Sequence, residues 1–160
     1  MISRIYRKNF AATWIVTAVV VLAAPVPIAR AQSAAQRPTL DYEFFKTRVQ
    51  PIFLKRRSPD HARCYACHES HKHPNGLSLQ TLSQGATTWN EEQSRKNFEA
   101  ASRVTTPGNP AQSVFPFHPL APEAGGDTIA HAGGRQFETQ NDPDYKTIAE
   151  WVNGAKAAGR

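Results

Sequence analysis

Methionine and cysteine are both scarce in this 160-residue chain: the one methionine is Met1, and the cysteines are Cys64 and Cys67 alone. Two cysteines cannot build a disulfide framework, and a bridge across two intervening residues closes so small a loop that it stabilises little. The sequence also lacks the alternation of a half-buried strand, any internal repeat and any glycine-rich nucleotide motif. These absences exclude a β fold, a solenoid and a dinucleotide enzyme. No cluster of candidate catalytic acids and bases stands out either, so the two sulfurs require their own explanation.

Basic residues are plentiful, with 19 Lys and Arg against 13 Asp and Glu and a net charge of +6. Part of that excess lies in a segment unlike domain material. Arg4, Arg7 and Lys8 precede an uncharged apolar run from Ala11 to Ala24, and Ala29-Arg30-Ala31 places small residues at −3 and −1 of a cleavage site before Gln32. The run falls short of the roughly 20 residues that span a bilayer, and Pro25 and Pro27 follow it. Residues 1–31 therefore read as a cleaved secretory signal rather than an anchor, giving a periplasmic or otherwise exported protein with no stable membrane insertion. Four basic residues leave with the signal, so Lys plus Arg falls to 15 against 13 acids and the mature chain carries +2. That does not point to nucleic acid. Lys46, Arg48, Lys55, Arg56, Arg57 and Arg63 make a basic stretch beside the cysteines, read first as a solvated helix face and second as a surface for an acidic partner. Export matters for the thiols, because unpaired cysteines tend to oxidise outside the cytosol.

Along the mature chain, residues 32–40 read as a flexible leader and 41–158 as one domain. Tyr42, Phe45, Val49 and Ile52 or Phe53 recur at helical spacing behind a capping Asp41, and Pro51 predicts a bend or an end. Leu77, Leu79 and Leu82 are the apolar anchors of the polar stretch from His71 to Gly85. Asn90 and Gln93 have the spacing of a capping box, and Phe98, Ala101 and Val104 supply a buried side for the helix they open. Pro107-Gly108 stops it. A proline- and glycine-rich loop runs from 107 to 137, with Phe115, Phe117, Leu120, Ile129 and Phe137 expected to pack. The last helix has Asp142 as cap, Pro143 at its first position and Tyr145, Ile148, Trp151, Val152 and Ala155 on one side. The fold class is all-α.

Cys64-Tyr65-Ala66-Cys67-His68 is a C-x-x-C-H sequence, the signature of c-type haem attachment. Two thiols one helical turn apart can each add to a haem vinyl group, and the following imidazole then lies under the iron. On this reading Cys64 and Cys67 carry thioethers and His68 is the proximal ligand, its other ring nitrogen held by a hydrogen bond. Two rivals use the same sulfurs. A redox-active C-x-x-C pair expects a βαβ context that is missing. Structural zinc could recruit His71 and His73 beside Cys64 and Cys67, but it gives no reason for His68 to follow Cys67 directly. A haem would also supply the apolar centre that three modest helices and much loop lack.

The order of Val49-Gln50-Pro51-Ile52, the Cys64 to His68 motif, Pro107-Gly108-Asn109-Pro110 with Ser113, and Ile148-Ala149-Glu150-Trp151-Val152-Asn153-Gly154 resembles the planctomycete-type branch of class I cytochromes c over about residues 42 to 156. The resemblance implies a small cytochrome c-like helical domain, its long loops wrapped around one covalent haem and its first and last helices crossing beside it. It also exposes a departure. Members of this class usually place a methionine on the far side of the iron, and Met1 should leave with the signal. The candidate replacements are His131, 20 residues before Trp151 and beside Gly133-Gly134, and His118 in Phe117-His118-Pro119; His131 is the favoured one. His61, His71 and His73 read as plain surface residues. The implied function is one-electron transfer between redox proteins by a low-potential His/His haem rather than enzymatic catalysis. The alternative is a gas or redox sensor, or a small peroxidase, if the sixth position is exchangeable. An exposed haem edge beside the basic stretch would allow self-association.

Overall fold

The computed structural model describes residues 38–69 and 76–159. The signal segment, residues 32–37 of the leader, and His71 and His73 lie outside them. Five helices, which we number α1 to α5, and two further short turns account for the regular structure, and no strand occurs among the described residues. None of these helices is long and apolar enough to cross a membrane.

Helix α1 is continuous in path but changes pitch twice, through Tyr42–Phe44 (α), Phe45–Val49 (π) and Gln50–Leu54 (3-10). Asp41 caps it, its carboxylate accepting from Phe44 N at 2.8 Å. The expected disturbance at Pro51 takes this form: the ring has no N–H and crowds the carbonyl four residues back, so the preceding turn widens and the Gln50 N–H donates to Phe45 O. Phe44, Phe45, Val49, Ile52 and Phe53 are nonetheless all buried.

Helix α2 spans Cys64–His68 and α3 spans Glu91–Arg103. The capping box is complete, with Gln93 N donating to Asn90 Oδ1 at 2.9 Å and Asn90 N donating to Gln93 Oε1 at 3.0 Å. The buried side of α3 is more polar than its sequence suggests: Ser94, Asn97, Ala100 and Ala101 are buried, whereas Phe98 and Val104 are half-buried. The polar positions have partners that explain them. Asn97 Oδ1 accepts from Gln80 N at 2.7 Å and Ser94 Oγ accepts from Gln50 Nε2 at 3.0 Å.

The long loop holds turns at Pro110–Gln112 and Pro122–Ala124 around the short α4, Val114–Phe117. Phe115, Leu120 and Phe137 are buried, but Ile129 is 68% exposed. Its packing, expected from sequence, does not occur, because the loop there is held by polar bonds rather than by an apolar side. Helix α5, Pro143–Val152, starts as predicted on the Asp142 cap, whose Oδ1 accepts from Asp144 N at 2.8 Å and Tyr145 N at 3.2 Å.

The first and last helices meet through Trp151. The indole is fully buried, its ring centre lies 5.3 Å from that of Phe45, and its Nε1 donates to Asp41 O at 3.0 Å. Residues at the end of the leader pack on the turn after the last helix. Pro38 packs so closely on Gly154 that a Cβ there would stand 2.5 Å from Pro38 Cβ, and Lys156 Nζ donates to Thr39 O at 2.9 Å.

Candidate functional site

Helix α2 presents its two sulfurs and one imidazole one turn apart, and a short extended segment grips the imidazole from outside. Leu79 N donates to His68 O at 2.7 Å, and His68 Nδ1 lies 2.7 Å from Leu77 O. A carbonyl oxygen can only accept, so Nδ1 carries the hydrogen and the lone pair sits on Nε2. This is the orienting bond expected for a proximal ligand. The segment is itself fixed from α3 and its approach, since Trp89 Nε1 donates to Gln80 O at 2.6 Å and Gln93 Nε2 to Thr81 O at 2.8 Å. Tyr65, inside the motif, accepts from Leu82 N at 3.0 Å and stacks edge-on against Trp89 at 5.7 Å.

His131 arrives from the far loop with the same arrangement, its Nδ1 lying 2.7 Å from Gly134 O. The rings of His68 and His131 are nearly parallel, 22° between planes, with centres 6.2 Å apart. Two imidazoles bound to one metal from opposite sides, each nitrogen about 2 Å from it, have ring centres about 6 Å apart. Burial holds the His131 pKa below its ordinary value, outweighing the carbonyl bond that would raise it, and His118 and Arg135 nearby act in the same direction as burial. The ring is thus kept in its neutral, ligating form.

Cys64, Cys67, His68, His118 and His131 line one cavity of 280 Å³, with a mostly apolar wall that includes Ile52, Phe53, Leu77, Phe115, Phe137 and Ile148. Val114, 58% exposed, and the exposed Ala130 and Ala132 also line it, so the cavity opens to the surface. A flat group larger than the interior would project an edge there. Gly133 brings the distal loop against the motif: a Cβ on it would sit 3.7 Å from Cys67 Sγ and 3.6 Å from His131 Cε1. The chemistry of this donor set, two sulfurs on one wall and two oriented imidazoles across the gap, fits a covalently held haem. It fits a redox-exchange pair less well, while the zinc alternative calls on His71 and His73, outside the described residues. Although Cys64 is half-buried as a residue, its crowded surroundings push the thiol up to about 11, away from the thiolate that redox exchange requires. No cluster of three or more metal-binding side chains occurs among the described residues. Comparison of the chain with family models, curated proteins and solved structures finds no match. The site must be read from its own residues.

His118 is brought to the same cavity but is differently employed. Its Nδ1 bonds Asp127 Oδ2 at 2.7 Å, its carbonyl accepts from Arg135, and its ring stands edge-on to His131 at 5.0 Å. Burial alone would raise the Asp127 pKa, yet the His118 and Arg135 contacts hold it below the ordinary range. Arg135 also donates to Asp127 O at 2.8 Å and Ile129 O at 2.6 Å.

His61, read from sequence as a plain surface residue, is half-buried with its Nδ1 3.0 Å from Ser58 Oγ. Gly134, at φ +80°, admits its ring so closely that a Cβ would stand 2.4 Å from His61 Cδ2. Three of the six residues of the basic stretch are ion-paired within the fold: Lys46 with Glu91 at 2.5 Å, Lys55 with Asp144 at 2.6 Å, and Arg57 with both Asp142 and Asp144. Sequence reasoning missed Asp127, Arg135 and Gln136. Their partners are backbone carbonyls and a loop histidine, which leave no periodic signal.

Proposed function

We propose that this chain is an exported, monohaem c-type cytochrome that transfers electrons between redox proteins, with a cytochrome c-like helical fold whose long loops wrap the haem. One observation carries the reading: the rings of His68 and His131 are nearly parallel with centres 6.2 Å apart, and both line a cavity that Cys64 and Cys67 also line, each ring donating its Nδ1 hydrogen to a backbone carbonyl. Bound there, the haem would supply a one-electron ferric/ferrous couple. Cys64 and Cys67 would hold it by thioethers, and His68 and His131 would bind its iron through Nε2.

The protein's own contribution is orientation and exclusion. The carbonyls of Leu77 and Gly134 fix both tautomers and stop the rings from turning, which raises their basicity as ligands. Phe53, Phe115 and Ile148 keep water from the interior face. Imidazole in place of thioether on the distal side favours the oxidised state, so the potential should lie below that of His/Met cytochromes.

The test is production of the exported chain in cells that mature c-type cytochromes. The purified protein should be coloured, one haem heavier than the processed polypeptide, and low-spin with a ferrous spectrum that carbon monoxide leaves unchanged. The double variant Cys64→Ser/Cys67→Ser should lose the covalent mass. A colourless wild-type chain without the added mass would overturn the reading. Covalent haem with a high-spin spectrum that carbon monoxide shifts would instead mark the protein as a gas or redox sensor or a small peroxidase.

A further inference from the structure

One side chain ties together the backbone ahead of the cysteine helix and the loop that carries His131. Gln136 keeps only 4% of its surface exposed. Its Nε2 lies 3.2 Å from Ala62 O, 3.0 Å from Gly133 O and 3.2 Å from Gly134 O. Three acceptors fix the amide's orientation, because an oxygen in that place would face three others. Ala62 stands two residues before Cys64, while Gly134 O is the acceptor that orients His131 at 2.7 Å. A short path of hydrogen bonds therefore runs from the entry to the cysteine helix, through Gln136, to the distal imidazole.

The choice of residue has a cost. With Nε2 committed, Gln136 Oε1 is buried without a hydrogen-bond partner among the described residues. A position that needed only volume would be filled at lower cost by Leu or Met. The loop it restrains has little apolar anchorage, since Thr128, Ile129, Ala130 and Ala132 are all exposed. Arg135 holds the earlier part of that loop, at Asp127 and Ile129, but does not reach Gly133 or Gly134.

We propose that Gln136 is the positioning residue that keeps the sixth coordination position closed, by clamping the Gly133-Gly134 carbonyls, and through them His131, to the backbone ahead of Cys64. This rests on the haem reading above. Gln136 thereby decides whether the protein is a sealed electron carrier or one that admits a small neutral ligand on release of His131.

The test compares the mature holoprotein with Gln136→Met, which keeps the volume and removes the amide. Mass and absorption first establish one covalent haem in each; a parent chain without haem would sink the haem reading and this proposal with it, whereas a haem-loaded parent leaves the outcomes below to decide this proposal alone. The ferrous proteins are then mixed with carbon monoxide. On a timescale over which the parent's spectrum stays unchanged, Gln136→Met should take it up, at least about tenfold faster than any slow uptake by the parent, the factor expected from losing about one hydrogen bond that holds the ligand loop, and its ferric form should gain high-spin absorption. Gln136→Asn, which keeps an amide one methylene shorter, should fall between the two and serves alone if the Met variant does not fold. Carbon monoxide uptake and spin state unchanged in the folded variants, with only the unfolding midpoint lowered, would overturn the proposal.

Discussion

At the scale of single residues, two histidines share the distal side of the cavity, and their hydrogen bonds separate their roles. His131 donates to a backbone carbonyl and lies nearly parallel to His68, whereas His118 is committed to Asp127 and stands edge-on to His131. Replacing His131 by Ala should convert the holoprotein to a high-spin form that binds carbon monoxide when reduced; replacing His118 by Ala should leave it low-spin. Absorption spectra of both variants check this, and high-spin character appearing only on loss of His118 would transfer the assignment. Gly134 is the second sensitive position. Its φ of +80° and the His61 ring 2.4 Å from any Cβ leave no room for alanine. Gly134→Ala should destabilise the protein by about 1–3 kcal/mol in denaturant unfolding, and should loosen His131, because Gly134 O is its acceptor.

At the scale of elements, the crossing of α1 and α5 positions one wall of the cavity. Trp151 sits at that crossing, against Phe45, Phe98 and Phe115, with its N–H satisfied by Asp41 O. Trp151→Ala should cost about 3–5 kcal/mol, read as a lowered urea midpoint. Against the 5–15 kcal/mol typical of a whole domain, that is a large share. The capping residues of α3 and α5 were legible in the sequence because a cap is a local contact: Asn90 with Gln93, and Asp142 with the next turn. The second use of Asp142 was not. Its other oxygen pairs with Arg57, 85 residues earlier in the chain, so a residue of the basic stretch fastens α5 instead of meeting solvent. The pitch changes within α1 were legible only in part, since Pro51 announces a disturbance but not a widened turn.

At the scale of the whole molecule, protonation should report on how the loop is held. Burial lowers the His131 pKa in the folded chain. Such a group gains a proton on unfolding, so its contribution to stability is complete above its unfolded value of 6.5 and is lost as pH falls from there toward the lowered folded value. Asp127 behaves alike in a more acid window, keeping its contribution above 3.8 and losing it below. Urea midpoints of the haem-free chain, measured from pH 8 downward, should therefore drop in two separate ranges, and His131→Ala should remove the upper one. A midpoint flat between pH 7 and 5 in the unsubstituted chain would contradict the burial of His131.

The sequence by itself determined the helical class, the starts of three helices at Asp41, Asn90 and Asp142, and a motif in which two thiols and an imidazole are neighbours along one turn. All of these are short-range, so spacing alone encodes them. Only the tertiary structure decided that the His131 ring lies nearly parallel to that of His68 with centres 6.2 Å apart, that His118 turns to Asp127, that Pro38 closes on Gly154, and that Gln136 bridges Ala62 to the distal loop. Those contacts bring together atoms from distant parts of an irregular backbone, several of them carbonyls that every residue possesses. No pattern of side chains along the chain can announce a partner of that kind.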